Sequence, residues 1–255
     1  GLTFFLLLEG VLPRFHWKYN KVNHTGINLF FTATTVIINF LMAFILLKSC
    51  DWVEARRFGI LQWLPDMPLW LYFIVGLLLL DLIGAYLVHF AEHKVRWMWR
   101  FHLIHHTDAF VDTTTANRHH PGESVFRFIF TVIGVILAGT PIYIVMAYQS
   151  MSAALSQFNH ANIQFPTWLD NILSWVIVTP GMHRVHHHYV LPYTDSNYGN
   201  IFSFFFLLFG TYQKMDNDQI VFGIDTYPEP ADHANLWQLL KIPFLPYRKT
   251  RIPPP

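Results

Sequence analysis

The sequence predicts an all-α integral-membrane bundle of about four spanning helices, two of them a kinked hairpin, with a histidine-rich cytoplasmic cap. Three observations carry that expectation. Of 255 residues, 53% are hydrophobic and only 13% charged, against roughly 25% charged in a soluble domain. Uncharged apolar runs reach the roughly 20 residues a spanning helix needs. And 15 histidines accompany a single cysteine, Cys50, so a disulfide framework or a thiolate metal site is excluded. The net charge of +1 gives no field suited to nucleic acid.

The elements follow in order. Residues 1–12, "GLTFFLLLEGVL", read as the end of a further span, and the opening without Met suggests an upstream part. Residues 27–47 carry no charge and span. Residues 69–90 span with one acid, Asp81, inside. Residues 125–158 are apolar but broken at Gly139-Thr140-Pro141, a combination that ends or kinks a helix. They read as a hairpin that enters and leaves on one side. Arms 125–138 and 141–158, at ~1.5 Å per residue, stop short of a ~30 Å hydrocarbon core. The short runs 172–179 and 201–209 suit interfacial or re-entrant pieces. The Pro-rich stretch "YPEPADHANLWQLLKIPFLP" is expected along the interface, as are Trp97 and Trp99 beside Arg96 and Arg100. The chain is one domain, 1–255, with its cap built from 91–124 and 160–255.

Charge sets the orientation. The loop 48–68 holds Lys48, Arg56 and Arg57, and most other Lys and Arg lie in 13–26, 91–124 and beyond 159. That second side is therefore cytoplasmic, and the histidines gather there. His89 and His93, four apart in "HFAEH", share one helical face. His102, His105 and His106 in "HLIHH" and His183, His186 and His187 in "HRVHH" repeat a second spacing. His120 and His160 flank the hairpin and return to the same side. Neutral imidazole suits Zn, Cu, Fe and Ni. Eight to ten histidines exceed the needs of one ion and imply two metals close together.

"HFAEH", "HLIHH" and "HRVHH", in this order between apolar hairpins, resemble the boxes of the fatty acid hydroxylase/sterol desaturase superfamily of integral-membrane di-iron enzymes. "WRFHLIHHTD", "NRHHPGE", "FNHANI" and "TDSNYGN" leading to "LFGTY" are similar to its bacterial members. The likeness runs over about residues 9–246. It implies an oxygen-dependent oxidation of a lipid C–H bond by two irons, with zinc a possible substitute in purified protein. Dioxygen would be co-substrate. Electrons would come from a separate donor, a b-type cytochrome, a ferredoxin or similar with its reductase. His89, His93, His102, His105, His106, His183, His186 and His187 match the boxes, and His120 and His160 match accessory positions. His119 and His188 are extra beside the pattern, expected around the ligands or at the surface. His16, His24 and His233 are expected at the surface.

Ligating imidazoles need their second N–H fixed by a carboxylate or carbonyl, and Glu92, Asp108, Asp112 and Asp195 are the candidates. Asn197 and Tyr198 line an entrance or form a turn. The resemblance leaves the lipid open (fatty acyl, sterol, ether lipid or aminolipid), and likewise hydroxylation, desaturation or ether cleavage. It implies a bacterial inner membrane with the site on the cytoplasmic face. The rival reading is a metal transporter or metal-binding membrane protein without oxidase activity. Transporters place ionisable ligands near the midplane, where Asp81 is the one candidate.

Overall fold

The computed structural model describes residues 1–248; the last seven residues of the expected cap lie outside them. The helices are α1 (Leu2–Val11), α2 (Lys21–Arg56), α3 (Ile60–Trp63), α4 (Leu69–Asp81), α5 (Leu87–Lys94), α6 (Arg96–His106), α7 (Pro121–Ala138), α8 (Ile142–His160), α9 (Thr167–Leu173), α10 (Pro180–His186), α11 (Phe204–Leu208), α12 (Pro230–His233) and α13 (Leu236–Lys241). A π-helical turn, Leu82–Tyr86, joins α4 to α5. Among the described residues no strand forms beyond isolated bridges.

Four long helices make the bundle. α2 starts at Asn20, whose side chain accepts from the Asn23 N–H, and stops where Arg57 turns left-handed at φ 49°. α4 and α5 run back as one continuous 26-residue helix. α7 and α8 form the hairpin, reversed at Gly139 (φ 74°). Their shared core is aliphatic: Leu77, Leu80, Val135, Ala138, Ile144 and Val145 are all at or below 5% exposure. Three of the four, Lys21–Trp63, Leu69–Lys94 and Pro121–Ala138, are long and apolar enough to cross a membrane. α8 has comparable length, 19 residues, but carries a polar stripe, Gln149, Ser152 and Ser156.

The hairpin is longer than its apolar text. α7 begins at Pro121, because Pro at the first helical position needs no N–H partner, and its 18 residues are about 27 Å long. Its turn packs against the corner between α2 and α3. A Cβ on Gly59 would lie 2.4 Å from the Gly139 Cα, and Gln62 Nε2 donates to the Gly139 carbonyl at 2.9 Å. Protein thus covers backbone that lipid could not satisfy.

Asp81 solves the same problem elsewhere. Its carboxylate accepts the backbone N–H groups of Ile201 (3.3 Å) and Phe202 (3.0 Å). Val178 N–H donates to Ile201 O and Ser203 N–H to Val176 O. The two short apolar runs therefore pair with each other and are pinned to the middle of the α4–α5 helix. Exposed Trp52, Trp63 and Trp70 mark one end of the bundle, and Trp97 and Trp237 the other, the arrangement of two aromatic belts. α12 and α13 do not span; Leu239 of α13 and Ile242 just after it pack on Ile27, Phe31, Leu103 and Ile104.

Candidate metal centre

All the box histidines converge in one buried layer at the end of the bundle. α5 delivers His89 and His93, α6 delivers His102, His105 and His106, and α10 with its following turn delivers His183, His186 and His187. α8 ends on His160. Their ligand nitrogens form two groups. His89, His93, His102, His106 and His186 make the first, and His105, His160, His183 and His187 the second; within each group the nitrogens lie within 4.8 Å of one another. The HxxHH spacing explains the split: on both α6 and α10 a residue at i+3 and its neighbour at i+4 point into different groups.

The hydrogen bonds fix the tautomers. His89 Nδ1–H donates to the Tyr198 carbonyl (2.8 Å), His186 Nδ1–H to the Ser196 carbonyl (2.7 Å) and His160 Nδ1–H to the Ser156 carbonyl (2.7 Å). His93 Nδ1 meets Asp195 Oδ1 at 3.2 Å, and His102 Nδ1 meets Glu123 Oε1 at 2.8 Å. A carbonyl only accepts, so the proton sits on Nδ1 and leaves Nε2 a bare lone pair. Yet His89 Nε2 lies 3.1 Å from His102 Nε2, and His160 Nε2 lies 3.1, 2.9 and 3.2 Å from those of His105, His183 and His187. Both ring nitrogens of His106 and the Nε2 atoms of His93 and His186 are buried without partners.

Lone pairs do not gather this way unaided. Nitrogens bound at about 2.1 Å to one ion, at angles near 90–110°, would stand about 3.0–3.4 Å apart, close to the spacing seen. Burial, then the neighbouring imidazoles, hold His102, His105, His106, His183 and His187 well below the ordinary histidine range, and burial with His93 does so for His186. The rings are thus neutral, the form that ligates. The donor set fits two metal ions, one per group.

Around the layer, Arg127 bridges Glu92 and Glu123, with its Nε 2.7 Å from Glu92 Oε1 and 3.1 Å from Glu123 Oε1. Glu92 Oε2 also stands 3.6 Å from His102 Nδ1. Burial raises the Asp195 carboxyl, but His93 and Lys94 outweigh that and hold it below the usual carboxylate range. Glu123 was not singled out from sequence; the signal was "HHPGE", which places an acid in the first turn of α7.

Several expectations are corrected. His120 reaches neither group. It is the residue before α7, where its Nδ1 accepts the Gly122 N–H and its Nε2 faces the Leu240 carbonyl at 3.3 Å. Its neighbour His119 faces the site instead, its ring stacked on His105 at 4.8 Å and its Nδ1 2.8 Å from Glu123. His24 is not a surface residue: it is buried with Nε2 2.9 Å from Asp108. Asp108 and Asp112 therefore hold His24 and a short turn, Thr113–Asn117, rather than a box histidine. Asn197, at φ 46°, ties loops together through Met182 O and Gln213. His188 is buried and accepts the Val221 N–H. His16 is exposed and His233 half-buried. Asp81, the one midplane candidate ligand of a transporter, is occupied by backbone.

The sequence model of the fatty acid hydroxylase family matches residues 73–211, which contain every histidine of both groups. The ornithine lipid hydroxylase OlsE of Rhizobium tropici is 28% identical over 153 residues, 60% of this chain and 45% of its own. An alkylglycerol monooxygenase of Caenorhabditis elegans is 29% identical over 164 residues, 61% of this chain and 31% of its own. One from Danio rerio is 25% identical over 256 residues, 94% of this chain and 52% of its own. The chain thus spans about half or less of the length of these relatives. No solved structure matches it. The chain belongs to the fatty acid hydroxylase family.

Proposed function

We propose that the protein is a membrane-bound oxygenase with two irons, which uses dioxygen to hydroxylate or desaturate a C–H bond of a lipid. The observation that carries this is the pair of all-imidazole groups, five and four histidines, whose nitrogens converge within each group and five of whose rings line one cavity. In this reading His89, His93, His102, His106 and His186 hold one iron and His105, His160, His183 and His187 the other. Iron at such a site supplies the redox power that acid–base groups lack for an unactivated C–H bond. Hydroxylation would place one oxygen atom in the product and release the other as water, consuming two electrons and two protons.

The chain's own residues do the positioning. The Tyr198, Ser196 and Ser156 carbonyls and the Asp195 and Glu123 carboxylates fix the imidazole rings, the task outer partners perform at metal sites. A cavity of about 470 Å³ beneath the layer, touched by His89, His102, His105, His160 and His183, receives the substrate between α2, α7 and α8. The surplus of Lys and Arg on the histidine side supports a cytoplasmic site, in a bacterial inner membrane. Electrons would arrive from a separate donor such as a b-type cytochrome or a ferredoxin with its reductase. The names of the relatives support a lipid substrate. The test is iron-loaded protein in a bilayer with reductant and ¹⁸O₂. Lipid gaining one labelled oxygen, or losing two hydrogens, is expected; consumption of no dioxygen with two irons bound would overturn the proposal.

A further inference from the structure

The cavity under the histidines has a mainly apolar wall, but it carries polar side chains at a depth where the bundle should be greasy. Asn39 lines it from α2 and Gln149 from α8. Among the described residues no hydrogen-bond partner holds either carboxamide, and both residues are exposed to the chamber. Gln149 lies 11 residues before His160 on α8, about 16 Å along the helix at ~1.5 Å per residue. Asn39 lies as far beyond Asn28, which bonds the Asp108–Thr114 turn beside the histidine layer at 2.9 Å. Both amides therefore sit at one depth, near the middle of their helices, open to the same chamber. Unpartnered polar groups at such depth are costly and are retained for function. The wall between them and the metals continues the theme through Thr35, Ser124, Ser152 and Ser156.

We propose that Asn39 and Gln149 are specificity residues that read a hydrogen-bonding group within the body of the substrate. The substrate is then a lipid with an ether, ester or amide function along the part the chamber holds, not a bare hydrocarbon chain or a fused-ring sterol whose polar group is a terminal hydroxyl. This rests on the oxygenase reading of the histidine layer but adds to it. Its volume is in the range that encloses a drug-sized molecule, so it holds the polar portion of a lipid while the remaining chain lies between helices. The chamber offers amides and hydroxyls, which both donate and accept, and its one guanidinium, Arg127, is already spent on Glu92 and Glu123. Uncharged polar groups are what such a wall recognises.

The experiment uses metal-loaded protein in nanodiscs with an equal mixture of four lipids: a 1-O-alkylglycerol, an amide-linked amino-acid lipid, a 4-methylsterol and a free fatty acid. Native mass spectrometry reads which lipid is retained, and turnover of each is measured in parallel. Retention of the ether or amide lipid is expected. Asn39→Leu and Gln149→Leu should each weaken it about twofold to tenfold, raise KM more than they lower kcat, and leave metal content at two ions. Asn39→Ser should restore part of the loss. Equal retention of sterol or fatty acid, or Leu variants that hold the polar lipids unchanged, would overturn the inference. Selective retention without oxidation of any lipid would leave the recognition standing and defeat the oxygenase reading.

Discussion

Two buried polar regions lie side by side at one end of this bundle, and they are built on opposite rules. In the histidine layer, nitrogens without donors face each other at about 3 Å. In the neighbouring knot of His24, Asn28, Asp108 and Arg118, charges and donors are matched except at His24 Nδ1, which stands 3.6 Å from Asp112 Oδ2. Asp108 accepts from His24 (2.9 Å), Thr115 (2.8 Å) and the Phe110 N–H (3.0 Å). Arg118, 1% exposed, donates to Asn28 (2.8 Å), the Ile104 carbonyl (3.2 Å) and the His233 carbonyl (2.7 Å). Burial raises the Asp108 carboxyl, but His24 and Arg118 more than offset it and hold it well below the usual range. A satisfied network rigidifies; an unsatisfied one awaits a ligand. The difference separates scaffold from site without reference to any relative.

That contrast can be broken by substitution. The largest effect is expected from His186→Ala or His105→Ala. Each removes a nitrogen from one group, and lipid oxidation should fall by more than about a hundredfold, with metal lost and the fold kept; circular dichroism beside metal analysis would check it. Asp108→Ala acts on the knot. It leaves His24 buried without the carboxylate that its Nε2 meets at 2.9 Å, and losing one partner of a buried pair typically costs about 3–5 kcal/mol. Thermal unfolding should show that loss, while the molecules that remain folded keep their metal. Glu123→Gln acts at the edge of the histidine layer, since it weakens the partner of His102. Metal affinity or activity should drop about tenfold to a hundredfold, measured by chelator competition. The smallest effect is expected from His120→Ala, which removes a helix cap worth about 1 kcal/mol and leaves metal content unchanged. If His120→Ala lost metal as His186→Ala does, the division between the regions would be wrong at that point.

The boxes were legible because helical spacing is a local property: HxxxH and HxxHH put rings on a face whatever the chain does elsewhere. The spans were legible for the same reason. What sequence did not reveal depended on distant pairing or on a single backbone turn. His119 and His120 are adjacent and chemically identical, and only the start of α7 at Pro121 decides which one turns toward the histidine layer. His24 and Asp108 are 84 residues apart, so the burial of His24 had no local signal, and Asp108 looked like a ligand's partner because it follows "HLIHHT". Asp81 reads from sequence as an isolated acid; its role appears only when residues 201 and 202 return beside it. The first hairpin arm was read short because α7 opens at Pro121, ahead of its apolar run, with Glu123 and Ser124 turned to His102 and to the cavity.

The account turns on the claim that the unsatisfied nitrogens form two ion sites. The most direct measurement is metal stoichiometry by mass spectrometry of protein purified with its lipid after iron supplementation, with zinc counted as well because it outranks ferrous iron for imidazole. Two ions per chain, falling to one in a variant that disables a single group, is the predicted result. One ion or none in the wild-type protein would contradict it.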